Sequence, residues 1–456
     1  MFIKEALMRY NELKECKTAK ELFEKIPISF IHKIIYVLLS VWLINPLITM
    51  LTNIFSFSSP IIFLHTILLQ LGYLCFIVGI FGFIKLHIIN DFKFYDKTYF
   101  KKSLPFIFMF LLLIWSLISA FLADDYQNSF FGDLYRKEGF LTYLAYAGFF
   151  ISVIILFDEK YREKLLLIFS TVATILSVFT IIQIFGYSIP GFENNSRFSA
   201  VFYNINHFGY YLTMTMICVS CLFITATSVK RKLFFLTEYV LITIALIFNN
   251  TFGCYLTVFV TLIACIFIFS LKNNKFSRIS LLPFIMFLFI SLLINTNNKI
   301  IENNFLSLFT DATKIISNDE TVGQAGSSRW KLWVNALDFI KNRPIFGYGP
   351  DSLGKPYEEL NIKIDRPHNE YLQFAASLGI PALIFYLSAL FLVFKRAFKN
   401  RKNISTNTII ALCSVLAYLV SAFFGNTMFY TSPYFFILLA ISFNIVDKEH
   451  IKNGVY

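Results

Sequence analysis

The polar side chains suited to chemistry gather at the ends of long apolar runs in this chain. They are arginines, a few histidines, tyrosines and asparagines. The sequence holds no H-E-x-x-H, no Walker phosphate loop, no G-x-S-x-G and no histidine and cysteine cluster at metal-ligand spacing. A guanidinium grips phosphate oxygens as a planar fork and stays charged at any working pH. A histidine titrates near neutrality and can take a proton from a hydroxyl. Arginines and one histidine at a common membrane face would suit transfer from a lipid-linked phosphate donor to an alcohol. The arginines would hold the pyrophosphate and stabilise its departure, and the histidine would activate the attacking hydroxyl.

The elements that must position such groups are membrane helices. Of 456 residues, 57% are hydrophobic and 15% charged, with a mean hydropathy of +0.65. A soluble domain carries about a quarter charged residues. The fold class expected is an all-α polytopic membrane protein. About twelve runs approach the ~20 residues that cross a hydrocarbon core: 34–51, 60–84, 104–123, 139–157, 165–186, 205–225, 233–249, 252–271, 279–295, 369–394, 406–424 and 430–446. The organisation follows: an amphipathic segment 1–33, spans one to nine within 34–295, a long loop 296–368, spans ten to twelve within 369–446, and a tail 447–456.

Charge orients these spans. Most of the 40 lysines and arginines fall in the N-terminus, the tail and alternate gaps, which marks those segments as cytoplasmic and both termini as inside. That clustering also explains the net charge of +12 without nucleic acid. The long loop is then external. The short external gaps carry few basic residues, with Arg136, Lys137 and Arg197 as the exceptions. Such arginines could snorkel to headgroups, and Asp133 and Glu138 could neutralise Arg136. Residues 1–30 read as a charged helix with Ile3, Leu7, Tyr10 and Leu13 on one face, lying on the membrane surface rather than serving as a signal peptide. None of the seven cysteines falls well inside an external loop, so no disulfide framework is expected. Cys218 and Cys221 form a C-x-x-C inside an apolar run, read as two small core residues.

The long loop opens with polar sequence and a small-residue linker, Gly323 to Ser328. Ser328 suits an N-cap for a helix from Arg329 to Asn342, with Trp330, Trp333, Leu337 and Ile340 as an apolar stripe for the membrane interface. Arg343-Pro344 ends that helix, and Phe346-Gly347-Tyr348-Gly349-Pro350 reverses the chain. Arg366-Pro367-His368-Asn369-Glu370-Tyr371 marks re-entry into the membrane.

The run SSRWKLWVNALDFIKNRPIFGYGPDSL, followed by RPHNEYLQFAASLGIPALIFYL, resembles the signature region of the O-antigen ligase and O-antigen polymerase superfamily. RFSAVFYNINHFGYYL resembles that family's Arg…Asn-x-Asn segment, and YRKEGFLTYL its weaker Arg-x-x-Gly segment. The resemblance covers most of the chain from about residue 130 and agrees with about twelve spans and a late external loop. It implies that Arg197 and Arg329 contact the pyrophosphate of a polyprenyl-linked glycan; Arg136, in the weaker matching segment, is a further candidate for binding it. It implies that His368 acts as base on, or orients, the acceptor hydroxyl. His207, Asn206 and Asn369 are secondary candidates. The implied chemistry needs no metal, cofactor or nucleotide sugar. The implied donor is a glycan on undecaprenyl pyrophosphate, and the acceptor a glycan, lipid or protein. One departure stands out: where relatives often carry a Ser-Arg pair, this chain reads NNTFGCYL, with no arginine.

Two other functions would suit about twelve spans. A glycosyltransferase using a polyprenyl monophosphate sugar typically places an acidic residue in the first external loop, whereas 52–59 has no carboxylate. A flippase or transporter of lipid-linked glycans would more often show internal repeats and charged or broken helices at mid-membrane. No repeat is found, and a long external loop fits that reading poorly. His368, taken alone, could equally cap a helix or sit at the interface.

Overall fold

The computed structural model describes residues 14–443 apart from 15, 56–59, 90–96, 193–197, 275, 299–309, 311–312, 315–316 and 318–328. Every long element among them is an α-helix. In chain order these are α1 (Ala19–Lys25), α2 (Ile28–Phe55), α3 (Pro60–Ile89), α4 (Lys97–Phe121), α5 (Tyr126–Phe131), α6 (Phe140–Ile155), α7 (Glu159–Ile184), α8 (Ile205–Thr225), α9 (Val229–Asn249), α10 (Phe252–Asn273), α11 (Leu281–Asn298), α12 (Arg329–Asn342), α13 (Gly354–Glu359), α14 (Glu370–Leu378), α15 (Ile380–Lys399), α16 (Thr406–Ser421) and α17 (Ser432–Ile441). Nine are long and apolar enough to cross a membrane, and α6, α16 and α17 are shorter apolar helices. This is a polytopic membrane protein.

Local sequence sets the helix ends. Asp158, Asn204, Ser228, Asn369 and Ser405 each accept a backbone N–H of the first turn they cap. Asn250 and Asn274 close α9 and α10 in the left-handed conformation that asparagine tolerates. Inside the bundle, small hydroxyls return their hydrogen bonds to the preceding turn: Thr213 to the Gly209 carbonyl at 2.8 Å and Ser220 to that of Met216 at 2.8 Å. This satisfies polar groups where lipid offers no partner.

The helices α3 and α6 lie against each other along glycines, and α4 packs on α15. A Cβ added at Gly148 would collide with the Gly72 carbonyl, so the backbones meet as small-residue membrane interfaces do. The most enclosed of the long helices is α8, packed against α9 and α16. The first span begins at Ile28, earlier than the expected 34. Of the expected surface helix only α1 is described, and Ile3, Leu7, Tyr10 and Leu13 lie outside the described residues.

The expected span 369–394 is broken. Gly379, at φ +87°, separates α14 from α15, and a Cβ there would collide with the Ile345 carbonyl. The reversal after α12 crosses this break and supplies what it lacks. Tyr348 N–H donates to the Ala376 carbonyl at 3.1 Å and Gly349 N–H to that of Ser377 at 2.8 Å. Ile380 N–H donates to the Pro344 carbonyl at 2.8 Å. From α4, Trp115 Nε1–H donates to the Leu378 carbonyl at 3.0 Å and the Ser119 hydroxyl to that of Phe346 at 2.6 Å. The orphan groups of the interrupted helix are thus met by protein.

The stripe expected on α12 is displaced. Leu332, Ala336 and Phe339 face inward, and Leu332 and Phe339 pack with Leu353, Tyr357 and Ala376. Trp333 and Ile340 are half-buried flanks, and Leu337 is exposed. The helix is therefore held by α14 and the segment around α13, which offer the protein contact its hydrophobic face needs. Gly323 to Ser328 lie outside the described residues.

Candidate active site

Four connections meet at one end of the bundle: the residues before α6, the turn after α12, the residues before α14, and the segment between α16 and α17. A buried ion pair fastens them. The Asp351 side chain, 2% exposed like that of its partner Arg366, accepts the backbone N–H of Asp133 and that of Glu138, both at 2.9 Å, on Oδ2. Its Oδ1 takes Nη2–H of Arg366. The same guanidinium donates from Nη1 to the Thr427 carbonyl at 2.7 Å. Burial pushes the Asp351 carboxyl up, and the Arg366 charge opposes it. Neither residue was singled out from sequence. The signal available was a charged residue directly beside a turn-forming proline in each segment, Asp351 after Pro350 in GYGPD and Arg366 before Pro367 in DRPHN.

Arg136 does not pair with Asp133 or Glu138, as its neighbours suggested. It makes a two-pronged contact with Asp365, Nε to Oδ2 at 2.8 Å and Nη2 to Oδ1 at 2.9 Å. The Asp133 carboxylate instead closes its own turn, accepting N–H of Tyr135 at 2.6 Å. Burial works against the Asp365 carboxylate, but the Arg136 hydrogen bond and the Arg366 charge outweigh it and hold it below its usual range. Glu138 is fully enclosed and accepts the Tyr146 hydroxyl. Burial pushes its carboxyl up to about 8, with Arg366 opposing, so at neutral pH it is a carboxylic acid.

His368 follows Pro367 in the left-handed conformation, at φ +52°, and is half-buried. Its Nδ1 lies 3.1 Å from Nδ2 of Asn426. Burial, and then the charges of Arg329 and Arg136, push the imidazole down to about 4, against the pull of Asp365. The ring is therefore neutral near pH 7 and able to accept a proton. Arg329 is the first residue of α12, half-buried, and no hydrogen bond or ion pair joins it to another described residue. A cation at a helix start opposes the dipole, which leaves it suited to an anion brought from outside. Arg136 and Arg329 are thus both within electrostatic reach of His368. Arg197 lies outside the described residues.

The secondary candidates sort differently. His207 is buried in the first turn of α8, with Nδ1 3.1 Å from the Thr431 hydroxyl, and the charges of Arg136, Arg366 and His368 reach it. Asn206 gives its backbone N–H to Asn204 Oδ1 at 3.0 Å, so Asn204 is the capping residue of that pair. Asn369 is buried and caps α14 through Leu372 N–H at 3.1 Å. Glu370, passed over in the sequence, accepts hydroxyls from Tyr386 at 2.9 Å and Tyr418 at 2.6 Å.

Among the described residues one group could hold a metal ion: Cys221, Cys265 and Cys413, whose sulfurs lie within 4.8 Å of one another. The partners of Cys221 thus come from α10 and α16, which sequence spacing around Cys218 did not reveal. Cys221 lies fourteen positions beyond His207 on α8, about 21 Å along the axis, so these thiols do not belong to this site.

Residues 239–387 match the family model of the O-antigen ligase. The matched segment carries Arg329, Asp351, Asp365, Arg366, His368 and Asn369, while Arg136, His207 and Asn426 are brought to it by the fold. Among curated proteins nothing matches the chain.

Proposed function

The chain belongs, through residues 239–387, to the O-antigen ligase superfamily, and from that premise we propose that it moves a glycan from polyprenyl pyrophosphate, undecaprenyl pyrophosphate in particular, to an acceptor hydroxyl. It is an O-antigen ligase or polymerase type of membrane enzyme. The transfer takes place on the external face of a cytoplasmic membrane, in cell-surface polysaccharide assembly. The observation that carries this reading is a neutral histidine flanked by arginine charges, His368 with Arg329 and Arg136.

The acceptor oxygen attacks the anomeric carbon as its proton passes to His368. The bond from that carbon to the pyrophosphate oxygen breaks, and the electron pair leaves with the lipid pyrophosphate. Guanidinium charge at Arg329, and at Arg197 from the matching motif, stabilises the phosphate negative charge as it develops. Arg136, tied to Asp365, holds part of the same positive field in place. A single displacement inverts the anomeric centre. Because the arginines supply the charge, the reaction proceeds without a divalent metal.

The test is release of polyprenyl pyrophosphate by the purified protein from a polyprenyl-pyrophosphate oligosaccharide, with candidate acceptors and a chelator present. Wild type is expected to release it, and His368→Ala to lose about 100-fold or more, as removal of a general base does. Equal release by both proteins removes the histidine from the chemistry. A folded wild type that releases none, yet moves the lipid across liposomes, would make the protein a carrier.

A further inference from the structure

A neutral imidazole can accept a proton at only one nitrogen, and the hydrogen bond at the other decides which. In His368 the partner at Nδ1 is Asn426, in the connection between α16 and α17. Asn426 is 5% exposed, and its Oδ1 is buried with no hydrogen-bond partner. With Nδ2 toward the ring, the amide donates to Nδ1, the ring proton sits on Nε2, and the histidine has no free base. Half a turn of the amide exchanges Nδ2 and Oδ1 without changing its shape. The oxygen then takes the Nδ1–H.

Resting on the transfer reading above, we infer that Asn426 is the positioning residue of this histidine: its Oδ1 accepts Nδ1–H of His368 and leaves the Nε2 lone pair for the acceptor hydroxyl. During transfer the hydroxyl proton passes to Nε2 as the new carbon–oxygen bond forms and the bond to pyrophosphate breaks. The imidazolium keeps its Nδ1–H on Asn426 and returns the Nε2 proton to solvent. An amide suits this task better than a carboxylate. It fixes the tautomer without adding a negative charge that would hold the ring protonated. The charged and titratable groups facing the ring are Arg329 from α12, Arg136 from the connection before α6, His207 from α8, and Asp365 and Arg366 from its own segment.

The experiment compares wild type, Asn426→Asp and Asn426→Ala, each checked for monodisperse elution in detergent. Release of polyprenyl pyrophosphate from a polyprenyl-pyrophosphate oligosaccharide is followed between pH 4 and pH 9. In parallel, ethoxyformylation of His368 by diethyl pyrocarbonate is followed by peptide mass spectrometry, which needs no donor. Asn426→Ala should lower kcat about 10- to 100-fold, a cost like that of removing the hydrogen-bond partner that orients a metal-bound histidine, with KM little moved. Asn426→Asp can accept Nδ1–H but cannot donate to it. It should turn over at least ten-fold faster than Asn426→Ala above its acid limb. That limb, and the modification midpoint, should sit roughly one pH unit above wild type.

Equal losses in both variants would mean that the amide serves as a donor, and would overturn the inference. So would an Asn426→Ala enzyme with wild-type kcat, or an Asn426→Asp midpoint that does not move. A wild type that releases nothing from any donor defeats the transfer reading itself. The reagent titration separates the two failures, because it reports the histidine and asparagine pair whether or not the protein turns over.

Discussion

At the scale of single residues, the site depends on which charges are already paired. Arg136 and Arg366 have carboxylate partners, while Arg329 has none among the described residues. An unpaired guanidinium held at a helix start is available to a phosphate without first breaking a bond. Arg329→Ala is therefore expected to weaken donor use about 10- to 100-fold in kcat/KM, the loss of a charge-assisted hydrogen bond. Arg329→Lys should recover part of this, because an ammonium supplies charge but no fork. Donor titration of both variants decides it, and equal, wild-type-like values would remove Arg329 from the site. Glu138 gives a second expectation. Its carboxyl, raised to about 8 from an ordinary value of 4.5, binds a proton more tightly in the folded than in the unfolded chain. Its contribution to stability is full below the unfolded value and is lost as pH rises through about 8. Melting curves at pH 5 and pH 9 should show a smaller drop for Glu138→Gln than for wild type. An identical drop would assign the pH dependence to other groups.

At the scale of elements, the break between α14 and α15 holds the site together. It lets the turn after α12 cross the bundle and hydrogen-bond to freed carbonyls, which brings Asp351 to Arg366 two residues before His368. Gly379→Ala would place a Cβ against the Ile345 carbonyl at a positive φ. The expected cost is about 1–3 kcal/mol from the backbone conformation alone, with a further loss from the clash, read as a lower melting temperature and poorer yield. An unchanged melting temperature would mean that the break tolerates a side chain. Asp351→Ala leaves Arg366 buried without its carboxylate. Such losses cost about 3–5 kcal/mol. The double variant Asp351→Ala with Arg366→Met should recover much of that stability, although the connections it joined would be free to drift and activity should stay low.

At the scale of the whole molecule, helix lengths and burial answer each other. The helices α6 and α16 have 16 residues each and α17 has 10, so they rise about 24 Å and 15 Å, short of the ~30 Å hydrocarbon core. All ten residues of α17 are buried and most of α6 is, so these helices face protein rather than lipid. The alternation of basic gaps expects α13 outside and the end of α15 inside. In a Cys16→Ser background, a membrane-impermeant maleimide applied to intact cells should label Lys355→Cys and should reach Lys399→Cys only after permeabilisation. Both positions are exposed. The reverse pattern would invert the protein and put the proposed chemistry on the wrong face.

The helical membrane class, most of the spans, the helix from Arg329 to Asn342 and the family signature around His368 are legible in the order of residues alone. These follow from local quantities: the length of an apolar run, a proline or glycine at an end, and a motif of contiguous residues. It takes the folded chain to show that Arg136 pairs with Asp365, that Asp351 and Arg366 tie four connections together, that the tenth span is broken at Gly379, and that Asn426 stands against His368. Each of these joins residues far apart in the chain. A hydrogen bond or a buried ion pair depends on the distance between two side chains in space, and neither composition nor periodicity carries that distance.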